Sequence, residues 1–196
     1  MSSDPQAQHL ALMRESKFSL RRCAHEDFGA WQRRARMRLS DLLGLPSEIC
    51  SPELNVEWTR ETEAGRELRI SFRTEPHYRA RAHLLIPPHE GPVPVIVCLQ
   101  GHSTGMHISL GRPKYPGDAE TISGGDRDFA RQALAHGCAA LVLEQRGFGE
   151  CGGTPEGPAC QQPAMAALLL GRTLVGERVW DVMRAQIGRA SCRERV

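Results

Sequence analysis

From Leu54 onward the chain first alternates and then stops alternating. Three stretches place apolar residues at every second position: Leu54, Val56 and Trp58; Leu68, Ile70 and Phe72; Tyr78, Ala80, Ala82, Leu84 and Ile86. A period of two predicts half-buried strands, and the turn residues Ala64-Gly65 and Glu75-Pro76 between them predict an antiparallel meander. Past Pro87-Pro88 and Gly91-Pro92, the pattern changes to two continuous apolar runs, Val95 to Leu99 and Cys138 to Leu143. Runs of this length, bounded by turn residues, predict strands covered on both faces. Between them Phe129, Ala130, Ala133 and Leu134 share one helical face, with Asp126 available as a cap and Gly137 as a stop. Strand, helix and strand in this order form a βαβ unit, whose ligands bind outside the carboxyl ends of the strands.

The flanking segments read as helical. In the first 50 residues, Phe28, Trp31, Ala35, Leu39 and Leu42 recur at helical spacing, with Arg33, Arg34, Arg36 and Arg38 largely on other faces. Gly44 and Pro46 end that helix. Beyond Gly149 the chain is irregular, then helical around Met165 to Leu170 and again from Glu177 to Ala185. A meander leading into βαβ predicts an α/β fold with a mixed sheet. The expected organisation is a helical extension over 1–50, an α/β domain over 51–185 and a distinct tail over 186–196.

Composition narrows the function classes. With 40% hydrophobic and 24% charged residues among 196, the chain is of globular type. A net charge of +2 is too small to call for nucleic acid. The polar start, Met1-Ser2-Ser3-Asp4-Pro5-Gln6, lacks the order of a signal peptide, and no stretch is apolar enough to span a bilayer. The seven cysteines form no CxxC pair, and the expected setting is reduced and cytoplasmic.

Candidate chemistry sits in the two loops that follow the buried runs. Gln100-Gly101-His102-Ser103 follows the first, and backbone N–H groups fixed there could stabilise negative charge growing on a carbonyl oxygen. A plain strand-to-helix turn is the competing reading. His102 and His107 have no third ligand near them, so no metal is expected. Gly147-Phe148-Gly149-Glu150-Cys151-Gly152 matches G-x-G-x-x-G, but Gly153, Pro155 and Pro158 follow where a dinucleotide site needs a helix N-terminus. No cofactor is expected; an active-site loop is the better reading of those glycines. Arg178, Asp181 and Arg184 are spaced for ion pairs along one helix, with Asp181 within reach of either arginine.

Together, Val95 to His102, Gly137 to Glu150 and Leu168 to Ala185 (with Gly171-Arg172-Thr173-Leu174 and Arg178-Val179-Trp180-Asp181) resemble the amino-terminal half of a bacterial α/β-hydrolase. The resemblance is to the acetyl xylan esterase and dienelactone-hydrolase-like branch. It implies an incomplete α/β-hydrolase sheet acting, in the full-length parent, on a small carboxylic ester, without nucleic acid or membrane as partner. It also implies an oxyanion N–H at His102, with Ser103 as a second loop donor, and substrate-loop positions at Gln100, Gly101, Arg146, Gly147 and Phe148. Such families usually carry His-Gly where this chain has Gln100-Gly101-His102. Their Ser, Asp and His all follow the position matching Ala185, and no G-x-S-x-G occurs in the chain. This chain by itself is therefore expected to be inactive. Two other classes stand beside this reading: a non-catalytic module binding an anionic partner through the arginine-rich helix, and half of a nucleotide-binding oxidoreductase.

The final residues depart from the pattern. Ile187 to Val196 reads as the translation of a sequencing adapter, and the genuine frame is expected to continue beyond Ala185. A frayed basic tail with a nucleic-acid role is the alternative.

Overall fold

The computed structural model describes residues 3–46 and 48–192, with side chains described as far as Gln186. Two compact units divide the chain, Met1–Leu42 and Leu43–Val196. The first carries helix α1 (Pro5–Glu15), capped by the Asp4 carboxylate on the Gln6 N–H, and most of α2 (Phe28–Leu43). Neither helix buries a residue fully, and Arg33, Arg34, Arg36 and Arg38 are all exposed.

The second unit is a five-stranded mixed sheet in the order β1-β2-β3-β5-β4. Strands β1 (Asn55–Thr62), β2 (Gly65–Glu75) and β3 (Tyr78–Ile86) form the expected antiparallel meander. Strand β5 (Ala139–Leu143) pairs antiparallel with β3 and parallel with β4 (Val95–Cys98). Helices α3 (Asp118–Ser123) and α4 (Phe129–Ala135) cross over between β4 and β5. Helix α5 (Gln161–Leu169) and helix α6 (Leu174–Cys192) follow. Residue 128 occupies the α4 cap position, while Asp126 takes a positive φ of 45° and its carbonyl accepts from Gln132 Nε2. The expected helix end at Ala185 is passed by seven residues. From Ile187 the side chains of the proposed tail lie outside the described residues, as do residues 193–196 altogether.

Two apolar layers hold the sheet. On one face Leu68, Ile70, Phe72, Ala82, Leu84, Leu141 and Leu143 pack with Val182 and Ala185 of α6. On the other, Leu85, Ala140, Val142 and Cys98 pack with Ala130 and Ala133 of α4 and with Met106 and Leu110. Alanines at these contacts let helix and sheet approach closely, and each large side chain buried contributes about 1.5–3 kcal/mol.

The expectation of half-buried strands fails for β1, which is exposed along its whole length, and for β2. Its polar set, Glu67, Arg69 and Ser71, is buried as completely as its apolar set. The segment after β4 folds over that face: Arg112 donates both Nη1 and Nη2 to Glu67, at 2.8 and 2.7 Å, and Arg69 Nη1 reaches Met106 Sδ at 3.8 Å. Burial would raise the Glu67 carboxyl, but hydrogen bonds from His83, Arg112 and Arg60 hold it well below the usual carboxylate range. A strand's own alternation cannot tell solvent from a charged partner brought in from elsewhere in the chain.

Candidate active-site loops at the carboxyl ends of β4 and β5

Both loops singled out in the sequence leave the sheet at the same end, because β4 and β5 are parallel. Strand β4 is the edge of the sheet among the described residues, with Ile96 and Leu99 exposed. A groove of about 450 Å³ runs beside it, lined by Ile96, Cys98, Leu99, Phe129, Ala133 and His136.

The first loop is built around a residue to which the sequence reading gave no role. Glu144, the first residue after β5, is 1% exposed. Its Oε1 accepts from Gln100 Nε2 at 2.8 Å and from the Met106 N–H at 3.0 Å, so one oxygen holds both ends of the 101–105 loop. Its Oε2 accepts from the Glu150 N–H at 3.3 Å. Gln145 Nε2 adds a bond to the Gln100 carbonyl at 2.7 Å. The Glu144 carboxyl is pushed up to about 7: burial is the largest cause, and the Glu150 and Met106 N–H bonds only partly offset it.

Two glycines make room for this carboxyl. A Cβ on Gly149 would stand 2.2 Å from Oε2, and one on Gly105 3.1 Å from the same atom. Gly101 has no positive φ, and a Cβ there would meet nothing within 4 Å among the described residues. The steric demand for glycine lies at 105 and 149.

Within the loop His102 is exposed, its ring edge-on to Phe148 with centroids 6.1 Å apart. Ser103 Oγ and Gln100 Oε1 are shielded from solvent and have no hydrogen-bond partner among the described residues. Unsatisfied groups of this kind cost about 1–3 kcal/mol each.

His107 makes its side-chain contacts with Asp118 and Thr104. Its Nε2 meets Asp118 Oδ2 at 2.8 Å and Thr104 Oγ1 at 3.0 Å, while Thr104 Oγ1 donates to Asp118 Oδ1 at 2.6 Å. The trio has a hydroxyl, an imidazole and a carboxylate, but both contacts fall on one ring nitrogen. A relay needs two different nitrogens. The cluster instead fastens the far end of the loop. Burial would raise Asp118, and bonds from Thr104, Tyr115 N–H, Lys114 N–H and His107 bring it down to about 2. Among the described residues no group of three or more His, Cys, Asp or Glu could hold a metal ion.

In the second loop Arg146, Gly147 and Phe148 are buried. The Arg146 guanidinium points at Glu75, Glu177 and Asp181, at 2.6, 3.1 and 2.8 Å, and lies 3.8 Å over the Tyr78 ring. Asp181 thus pairs with Arg146, not with its helix neighbours: Arg178 Nε donates to the Arg146 carbonyl at 2.9 Å, and Arg184 bonds the Cys50 carbonyl. Arg178 also stacks on Phe148. Arg146 and Gly147 line a cavity of about 810 Å³ with Tyr78, Cys151, Cys160 and Met165. Gly147, Gly149 and Gly152 all have positive φ, and Gly149–Cys151 form a 3-10 turn where a dinucleotide site would open an α-helix.

No protein-family model matches the chain, and no curated protein does. Among solved structures it is similar to one from Bacteroides fragilis NCTC 9343 described as a "putative acetyl xylan esterase", with a TM-score of 0.80 at 18% identity. The match covers 94% of this chain and 50% of that one, so the chain spans about half the length of the structure it matches. The fold is therefore a mixed α/β sheet of the esterase-like kind. No described helix is long and apolar enough to cross a membrane.

Proposed function

We propose that the chain is the amino-terminal half of a serine-dependent carboxylic-ester hydrolase of the acetyl-esterase, dienelactone-hydrolase-like kind, working in a reduced, cytoplasmic setting. In this reading the 101–105 loop supplies backbone N–H groups, His102 first and Ser103 second, to the oxygen of a tetrahedral intermediate. Gln100, Gly101 and Phe148 shape the wall of that site, while Arg146 and Gly147 anchor the neighbouring loop. Nucleophile, acid and base come from chain beyond Ala185, and residues 186–196 are not part of that protein.

One observation carries the reading: a loop stapled at both ends stands at the carboxyl end of β4, beside an open sheet edge. A further parallel strand pairing there would bring its own carboxyl end next to His102. The likeness to a structure twice as long supports the same reading.

The test is to resequence the source DNA across the codons for Ala185 and Gln186 and to express the frame it reveals. The expected frame continues into a strand ending in G-x-S-x-G. Its product hydrolyses p-nitrophenyl acetate, loses that activity when the motif serine becomes alanine, and leaves the present chain inactive beside it. A frame without such a serine, or a product without turnover, overturns the proposal. The four exposed arginines of α2 favour an anionic partner as the second reading. Binding that weakens steeply with salt would bring it forward.

A further inference from the structure

The Glu144 carboxyl is bonded on three sides by neutral N–H donors and, among the described residues, pairs with no cation, although the charge of Arg69 acts on it and lowers it. A buried carboxylate arranged this way is an expensive means of joining two loops, since an uncharged acceptor would avoid the desolvation. What it achieves is geometric. Gln100 and Met106 bracket the five residues that contain His102 and Ser103, and a single oxygen, Oε1, fixes both brackets. Oε2 ties the same carboxyl to the second loop, so the separation of the loops is set from one residue.

We propose that Glu144 is a positioning residue for the 101–105 loop, fixing through Gln100 and Met106 the direction in which the His102 and Ser103 N–H groups point. The use of those N–H groups as oxyanion donors rests on the esterase reading; the positioning does not. A proton on Oε2 would face the Glu150 N–H, donor against donor, and that contact breaks. Ionisation of Glu144 therefore governs the tie between the two loops.

Several charged groups surround the site. Arg69 of β2 touches Met106 and pairs with Glu150, and Arg81 of β3 pairs with Glu150 as well. Burial would raise the Glu150 carboxyl, but Arg69 and then Arg81 lower it. Cys151, with its thiol pushed up by burial, follows on the same loop, and His107 and His102 share the first.

The experiment is amide NMR on the ¹⁵N-labelled 196-residue chain between about pH 5.5 and 8.5, a range that brackets a carboxyl raised to neutrality. The His102, Ser103, Met106 and Glu150 amides are expected to shift together with one midpoint, near the value of about 7 for Glu144. In Glu144→Gln the common transition disappears, and hydrogen exchange at Glu150 speeds up about tenfold, because its N–H then faces an amide NH2 where Oε2 had accepted it. In Gln100→Met, a variant that keeps the carboxylate, the common midpoint rises, because one donor to the charged form is gone. His102 and Ser103 amides that fail to follow Met106, or a transition that survives Glu144→Gln and so belongs to a histidine, overturn the proposal. Neither readout requires ester turnover. Loss of hydrolysis with the amide coupling intact counts against the esterase reading alone.

Discussion

Glu144 and Arg146 leave strand β5 two residues apart, and both are buried, yet their charges are met in opposite ways. Arg146 faces three carboxylates and an aromatic ring, and Asp181 and Glu75 hold it charged against a burial that favours the neutral form. Among the described residues Glu144 is bonded only by N–H dipoles, and the charges of Arg69 and Glu150 act on it in opposite directions. The first arrangement is a locked joint between β2, the loop and α6. The second is a joint whose charge can be removed near neutral pH. The contrast separates two meanings of a buried charge beside a candidate active site, anchoring the fold and aiming a loop.

Removing the anchor should have the largest effect. Arg146→Met leaves Asp181, Glu75 and Glu177 facing one another, and urea unfolding should show a loss of about 3–5 kcal/mol. A loss below about 1 kcal/mol would mean that Arg172, already bonded to Glu75 and Glu177, takes over the joint.

Next in size is the pH dependence attached to Glu144. Its folded-state value of about 7 lies above the ordinary 4.5, so the folded chain keeps a proton that the unfolded chain releases. Stability from this group therefore falls as pH rises from about 4.5 and levels off above about 7, by roughly 3 kcal/mol in all. Unfolding of the wild type and Glu144→Gln across that window should show the difference between them change by this amount. Equal slopes would place the Glu144 ionisation elsewhere. Asp118, held low by its bonds, acts in the opposite sense: its stabilisation is complete above the ordinary 3.8 and is lost as pH falls toward about 2.

The smallest effects come as a pair. Gly149→Ala puts a methyl group 2.2 Å from Glu144 Oε2 at a φ of 36°, and should cost about 2 kcal/mol. Gly101→Ala points into open space and should stay within about 0.5 kcal/mol of wild type. Thermal unfolding of the two single variants checks the order.

These sites were legible to different depths in the sequence. The meander, the βαβ unit and the two loops follow from periods and turn residues that act locally, and the structure has them where Val95 to Leu99 and Cys138 to Leu143 put them. The burial of Glu67 and Arg69 was not legible, because their partners, Arg112 and Glu150, arrive from 45 and 81 residues away. The pairing of Arg146 with Asp181 was hidden for the same reason, since helix spacing favours near neighbours and the winning partner lies on another element. Glu144 did leave a signal. A carboxylate directly after five buried residues has no strand position from which to reach water, and that alone marks it as held by something.

The two glycines around Glu144 also bear on which substitutions the chain can accept. Position 149 admits a side chain only if position 144 gives up its carboxyl, and position 105 meets the same oxygen. The three sites are thus not free to drift independently. A change at one alters the cost of a change at the others, and the double variant Glu144→Ala/Gly149→Ala should be less harmful than the sum of its parts. In genetic terms the nest is a single epistatic unit, written as one acid and two glycines at three separated places in the chain.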